Sequence, residues 1–182
     1  MWLGPAEYHS FSRMYHTFEW RGFHPYGSGM LGDWGCHIID MIHHYLDLGL
    51  PTEVKAQRMD DHNKIIFPLN SHMEFSFPAR GKHPALKLNW KDGVNCQASV
   101  PKKYWDNSEK APRLGGAGTL FKVDGEDYMV QRNSHGGSSR LFPYEKSKDL
   151  DLKTENIRDN HSESFIQACL GNGKTWSPFS VG

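Results

Sequence analysis

The sequence predicts an α+β fold with a largely antiparallel open sheet and helices on one face of that sheet. Three observations predict it: an amphipathic helix near the start, about six short β-like runs joined mostly by hairpins, and a second helix near the end. The runs do not alternate with helices, so we expect no Rossmann domain in these 182 residues. We expect residues 1–182 to form a single domain that is cut short at both ends.

Composition and charge exclude several classes of function. The formal net charge is zero and the isoelectric point is near 7.2, which predicts no nucleic-acid partner and no anionic membrane surface. Three widely spaced cysteines indicate neither a disulfide framework nor a C-x-x-C metal site. The N-terminus lacks the basic start and apolar stretch of a secretory signal. Cytoplasmic and periplasmic locations both remain open.

The first helix is predicted over residues 33–48. Its two stripes differ in character, because side chains three or four positions apart share one face of a helix. One stripe is polar and consists of Asp33, His37, Asp40 and His44. The other is apolar and should face a core, and it consists of Ile38, Ile39, Ile42, Tyr45 and Leu46. Gly49 is expected as the glycine that ends the helix, and Pro51 prevents its continuation.

The β-like runs follow the helix. They are short, they alternate at least in part, and they occupy residues 53–59, 65–69, 72–77, 86–90, 120–123 and 128–131. Pro68 makes the second run an edge strand at best. Residues 101–117 and 133–143 are predicted to be loops. The last helix is predicted over residues 162–170, capped by Asn160 or Ser162.

Asp33 and His37 are the candidate acid/base pair. They are one helical turn apart, so the carboxylate can accept a hydrogen bond from the imidazole and set its tautomer, as a general acid/base near neutral pH requires. A capping aspartate beside a partly buried histidine is the alternative. Asp33, His37 and His44, with His43 adjacent, could instead bind zinc, but His37 and His44 are two turns apart and H-E-x-x-H is absent, so we expect no metal.

Glycines precede the helix in a pattern found in dinucleotide-binding proteins. Residues 27–32, GSGMLG, match G-x-G-x-x-G, but that fingerprint requires a buried strand before it. The preceding EWRGFHPY is not such a strand. We therefore expect these glycines to shape the approach to the helix and no residue here to bind a cofactor.

Two further segments could contact a substrate. The aromatic residues before residue 27, Trp20 among them, could stack on a carbohydrate or could pack under a loop. His135 and Arg140 lie in a glycine-rich loop that could hold an anionic or polyol substrate, although a plain turn is equally consistent with it.

The run WRGF at residues 20–23 and residues 27–54 resemble the substrate domain of the Gfo/Idh/MocA family, bacterial type. The motif G-D-x-G-x-H-x-x-D is present here as Gly32, Asp33, Gly35, His37 and Asp40. L-G-x-P-x-x-V follows at residues 48–54, and GGAGTLFKVDG, SSRLFP and HSESFIQACLGNGKTWSPFS extend the resemblance over nearly the whole chain.

The resemblance implies an NAD(P)-dependent oxidoreductase acting on a sugar or polyol, with NAD or NADP bound mainly by a domain outside this chain. His37 would take the proton of a substrate hydroxyl, and Asp33 would orient His37 or share in the transfer. Trp20, Arg21, His135 and Arg140 are the expected substrate-binding residues. The family implies a homo-oligomer formed through the sheet. The chain alone should be inactive.

A rival hypothesis assigns the chain a function without catalysis. The chain could be a non-catalytic module that binds carbohydrate or dimerises through its sheet. Retention of sugar binding after loss of His37 would favour that hypothesis.

Overall fold

The structure is a computed structural model that describes residues 3–4, 6–106, 109–135, 137–148 and 160–175, except for the side chains of Ser147 and His161. The chain divides into two compact units, Met1–Asp149 and Leu150–Gly182. The helices are α1 (Gly29–Leu46), α2 (Tyr144–Lys148) and α3 (His161–Cys169), with 3₁₀ turns at Arg13–Tyr15, Glu19–Gly22 and Lys102–Tyr104. The strands are β1 (Glu53–Asp60), β2 (Asn70–Phe77), β3 (Leu86–Asp92), β4 (Gly118–Lys122), β5 (Met129–Asn133) and β6 (Ser139–Phe142).

The strands form two small antiparallel sheets in the order β1-β2-β3 and β4-β5-β6. The predicted α+β class with antiparallel open sheets is confirmed. The six strands divide into two sheets of three, whereas the sequence suggested one. No helix among the described residues is both long enough and apolar enough to cross a bilayer. Assembly through a sheet stays a prediction.

The first sheet is apolar on one face, and α1 covers that face. Phe75 lies opposite Leu88, and Phe77 lies opposite Leu86; alternate residues of a strand share a face, so these four side chains point the same way. They pack with Ile42 and the residues around it in one cluster. Burial of this cluster holds the helix in place on the sheet.

Both ends of α1 differ from the prediction. The helix begins at Gly29, four residues early, with Gly29 at φ +67°. It ends at Leu46 with Asp47 as its C-cap at φ +47°, and Gly49, the predicted terminator, follows two residues later at φ +63°. A side chain at residue 29 has no room, because the ring of Phe67 occupies the space where its Cβ would lie. That GSGMLG shapes the approach to the helix rather than binding a nucleotide stays a prediction.

One member of the predicted apolar stripe is not in the core. Ile42 is 7% exposed, whereas Tyr45 is 69% exposed. The buried stripe is narrow, running through Ile38, Ile42 and Leu46 at intervals of four, and Tyr45 lies at its edge, where it lines a cleft described below. The prediction that Tyr45 faces the core was therefore wrong.

The second sheet contains a strand that the sequence did not indicate. Residues 139–142, predicted to be a loop, form β6 and pair with β5, with Leu141 opposite Val130. Leu141 and Phe142 are buried. Four residues are too few to display a period, so only pairing with β5 identifies this strand. The following α2 was also missed.

The remaining expectations were met in part. Residues 65–69 form no regular strand, but Ile66 makes an isolated bridge to Phe23. In the second unit the predicted last helix is present as α3, and the Asn160 side chain caps it by accepting from the Glu163 N–H at 3.2 Å. Residues 149–159 and the last residues after 175 lie outside the described part of the chain.

Gly29→Ala should destabilise the fold. The added Cβ would lie 2.7 Å from the Phe67 ring at a positive φ, which combines backbone strain of about 1 kcal/mol with overpacking of about 1–3 kcal/mol. Gly125→Ala is the matched control, because its φ is +87° and nothing lies within 4 Å. Urea unfolding of both variants measures the difference. Equal losses of stability would contradict the packing explanation.

An ion pair on the polar face of the first sheet should make stability pH-dependent. Lys87 Nζ lies 2.9 Å from Glu74 Oε1, and this hydrogen bond lowers the pKa of the Glu74 carboxyl. Because the folded pKa is the lower one, the pair stabilises above the ordinary pKa of glutamate and the effect is lost as the pH falls through the lowered value. Lys87→Met should lower the urea midpoint at about pH 7 and not at about pH 2.

The control for that experiment is Lys91→Met. Lys91 lies on the same strand and the same face as Lys87 and has no carboxylate partner among the described residues. Its substitution should change the midpoint equally little at both pH values. A Lys87→Met effect that persists in acid would contradict the role of the ion pair.

Candidate functional site

The start of α1 forms one wall of a cleft of about 710 Å³, within the size range of small-molecule sites. We call it the larger cleft. Its lining combines apolar and aromatic side chains with a few charged ones, and consists of Met14, Phe18, Glu19, Arg21, Gly22, Phe23, Gly29, Met30, Asp33, Trp34, His37, Ile66, Phe67, Pro68, Leu69, Asp92, Gly93 and His135. Four of the six predicted site residues are therefore brought to one cleft.

His37 stacks on His135 in this cleft. Their ring centroids are 4.2 Å apart with an interplanar angle of 23°. The backbone N–H of His135 donates to the backbone carbonyl of His37 at 3.4 Å. Trp34 is edge-on to both rings, with centroid distances of 6.1 Å to His37 and 5.6 Å to His135. The His37 imidazole is thus oriented by two aromatic neighbours while its side chain remains exposed.

Asp33 pairs with Arg21, not with His37. Arg21 Nε lies 3.1 Å from Asp33 Oδ2, and both side chains are about one-third exposed. Trp20 lies beneath the guanidinium, with 4.5 Å from Arg21 Cζ to its ring centroid. No hydrogen bond joins Asp33 to His37 among the described side chains. Arg21 provides a charged donor for the Asp33 carboxylate, and the His37 ring stacks on His135 rather than contacting Asp33.

The remaining predicted residues lie away from the larger cleft. Trp20 packs beneath the Arg21 guanidinium and does not line the larger cleft. Arg140, on β6, donates from Nε to Gln131 Oε1 at 2.6 Å and also to the Arg113 carbonyl. Asp40 is exposed on α1 outside the cleft. The catalytic and substrate-binding roles of all six residues stay predictions.

The GSGMLG loop packs closely against other atoms of the protein. A Cβ at Gly27 would lie 2.2 Å from the Arg21 carbonyl oxygen, and one at Gly29 would meet the Phe67 ring. The protein's own atoms therefore fill the space that glycines leave open for a pyrophosphate in the Rossmann fold. The preceding element is the 3₁₀ turn Glu19–Gly22 rather than a strand. That this loop binds no cofactor stays a prediction.

A second, smaller cleft of about 270 Å³ lies between α1 and the second sheet. It is lined mainly by apolar side chains with a few polar ones from β4 and β5, and consists of His37, Ile38, Met41, Ile42, Tyr45, Leu46, Thr119, Phe121, Arg132, Asn133 and Ser134. His37 lines both clefts. Across the described residues, no cluster of three or more His, Cys, Asp or Glu side chains is placed to hold a metal ion.

Sequence reasoning missed several lining residues. Trp34 could have been predicted, because it lies three positions before His37 and residues at that spacing are neighbours on a helix. Phe67, Asp92 and Arg132 carried no local signal, because each reaches a cleft through contacts between distant parts of the chain.

Comparison with known proteins yields one family. Residues 1–76 match the family model described as "Oxidoreductase family, C-terminal alpha/beta domain". The match covers Arg21, Asp33 and His37 and stops within β2, before His135. No curated protein sequence matches the chain.

Titration of the chain with NADH and NADPH, followed by tryptophan fluorescence, should reveal no saturable binding. The reason is that backbone and aromatic atoms fill the space at Gly27 and Gly29. AMP alone serves as the control for non-specific nucleotide binding. Tight, saturable binding of either dinucleotide would contradict this interpretation of the loop.

Proposed function

We propose that the chain is the substrate domain of an NAD(P)-dependent oxidoreductase acting on a sugar or polyol, on the basis that residues 1–76 match the C-terminal domain of the Gfo/Idh/MocA oxidoreductase family. The observation that carries the proposal is the stacked pair of His37 and His135 at the wall of the larger cleft. Assignment to the bacterial type of the family stays a prediction.

The lining of the larger cleft suits a polyhydroxylated substrate. Aromatic rings, including those of Phe18, Trp34 and Phe67, offer flat apolar faces for the C–H faces of a sugar. Asp33 and Asp92 offer carboxylate oxygens to its hydroxyls. A mostly apolar cleft with a few polar groups is the usual composition of a small-molecule site.

His37 is the group proposed to move the proton. Its ring is exposed to the cleft and oriented by His135 and Trp34, and imidazole is the side chain best matched to acid/base work near neutral pH. In oxidation, the substrate hydroxyl transfers its proton to His37 as the carbon loses a hydride and becomes a carbonyl. In reduction, His37 returns the proton to the carbonyl oxygen.

Asp33 takes a different role from the one first expected. Its carboxylate is held by Arg21 at 3.1 Å, so we propose that the pair binds substrate hydroxyls and that His135 orients His37. Nicotinamide, when bound by another domain, supplies the hydride acceptor. This chain's residues position the substrate carbon and its hydroxyl.

His37→Ala tests the proposed function in a protein that combines this chain with an NAD(P)-binding domain of the family. We expect kcat to fall by about 10²–10⁴, the usual contribution of general acid/base catalysis, with a smaller change in KM. Reduction of NAD⁺ and NADP⁺ is followed by absorbance with a panel of sugars and polyols.

His44→Ala is the matched control, because it removes the same side chain from the same helix at an exposed position outside both clefts. It should leave kcat within about twofold. Unchanged turnover in His37→Ala would contradict the assignment of His37 as the general acid/base. Saturable sugar binding without turnover in any pairing would favour the non-catalytic module instead.

A further inference from the structure

The smaller cleft carries one permanent charge among the described residues that line it. Arg132 on β5 supplies that charge, and the residues around it are neutral apart from His37. Most of the lining is apolar, which lowers the local dielectric and strengthens any ionic interaction formed there. A half-buried guanidinium in such a place requires a partner.

The partners of Arg132 within the protein are weak. Its Nε donates to the thioether sulfur of Met41 at 3.2 Å, and its Nη1 donates to the Ser139 hydroxyl at 3.1 Å. No carboxylate lies within salt-bridge distance of Arg132, and its Nη2 has no acceptor, among the described residues. A thioether is a poor acceptor.

Four of the other arginines of the chain have oxygen acceptors. Arg21 and Arg58 pair with carboxylates, Arg80 donates to backbone carbonyls, and Arg140 donates to an amide oxygen and a carbonyl. Arg132 differs from these four arginines because its Nε donates to a thioether sulfur rather than to an oxygen. Like Arg21 it lines a cleft beside His37, but unlike Arg21 it has no carboxylate partner among the described residues.

We propose that the smaller cleft binds the anionic group of the substrate, a carboxylate or phosphate on a sugar or polyol, through Arg132. This inference rests on the proposed function, since it places the anionic group beside the residue that moves the proton. The carboxylate or phosphate oxygens replace the Met41 sulfur as acceptor for Nε and also satisfy Nη2, in the planar two-point geometry that guanidinium favours. Thr119 and Ser134 line the same cleft and add hydroxyl groups.

Binding measurements on the full chain test the proposal without any turnover. Glucuronate, glucose 6-phosphate and glucose are titrated by calorimetry at about pH 8, where an ordinary imidazole is neutral. At least one anionic sugar should bind about tenfold or more tightly than glucose, the change expected from a charge-assisted hydrogen bond. A preference for glucuronate identifies a sugar acid, and a preference for glucose 6-phosphate identifies a sugar phosphate.

Two variants locate the preference. Arg132→Met keeps the length and apolar stem of the side chain and should abolish the preference for the anionic sugar. Arg58→Met is the matched control, because it makes the same substitution on β1, outside both clefts, and it should retain the preference. Equal binding of charged and neutral sugars by the unmodified chain, or a preference that survives in Arg132→Met, overturns the proposal, and so does a loss confined to Arg58→Met.

A second measurement decides the matter if Arg132→Met does not fold. Amide NMR spectra of the unmodified chain with the preferred anionic sugar should show shifts at Thr119 and at residues 132–134. Shifts confined to other residues overturn the proposal. A chain that supports turnover of neutral polyols yet shows no anion preference refutes this inference alone and leaves the proposed function standing.

Discussion

Burial of one stripe of α1 against the first sheet is the interaction on which the rest of the structure depends. Ile42 and Leu48 pack with Phe77 in one cluster, and Leu48 is completely buried. Because the side chains of a helix have fixed angular positions around its axis, burial of this stripe decides where the other residues of α1 point. Asp33 and His37 are thereby directed to the clefts, away from the core.

The same packing explains why the candidate site is divided in two. α1 has the aromatic N-terminal segment on one side and the second sheet on the other, and His37 lines the cleft on each side. The larger cleft has carboxylates and aromatic rings, whereas the smaller has a guanidinium in apolar surroundings. A substrate that uses both would carry hydroxyls at one end and negative charge at the other.

The parts of the fold that could be predicted are those with local signals. β1, β2 and β3 are seven or eight residues long, long enough for at least partial alternation to appear, and α3 has a capping side chain and a terminal glycine. β6 has only four residues and lies in a serine- and glycine-rich segment. It is too short to show a period of two, so the sequence did not indicate that it pairs with β5. The division into two sheets depends on which strands pair, which alternation does not encode.

The sequence by itself determined the helix of α1, the one-turn spacing of Asp33 and His37 and the resemblance that singled them out, because these are properties of consecutive residues. Only the tertiary structure decided that Asp33 pairs with Arg21, that His37 stacks on His135 and that Arg132 comes within 3.2 Å of Met41 across 91 residues of sequence. The physical reason is that helix periodicity acts over a few residues, whereas these contacts follow from burial of distant apolar surfaces against one another.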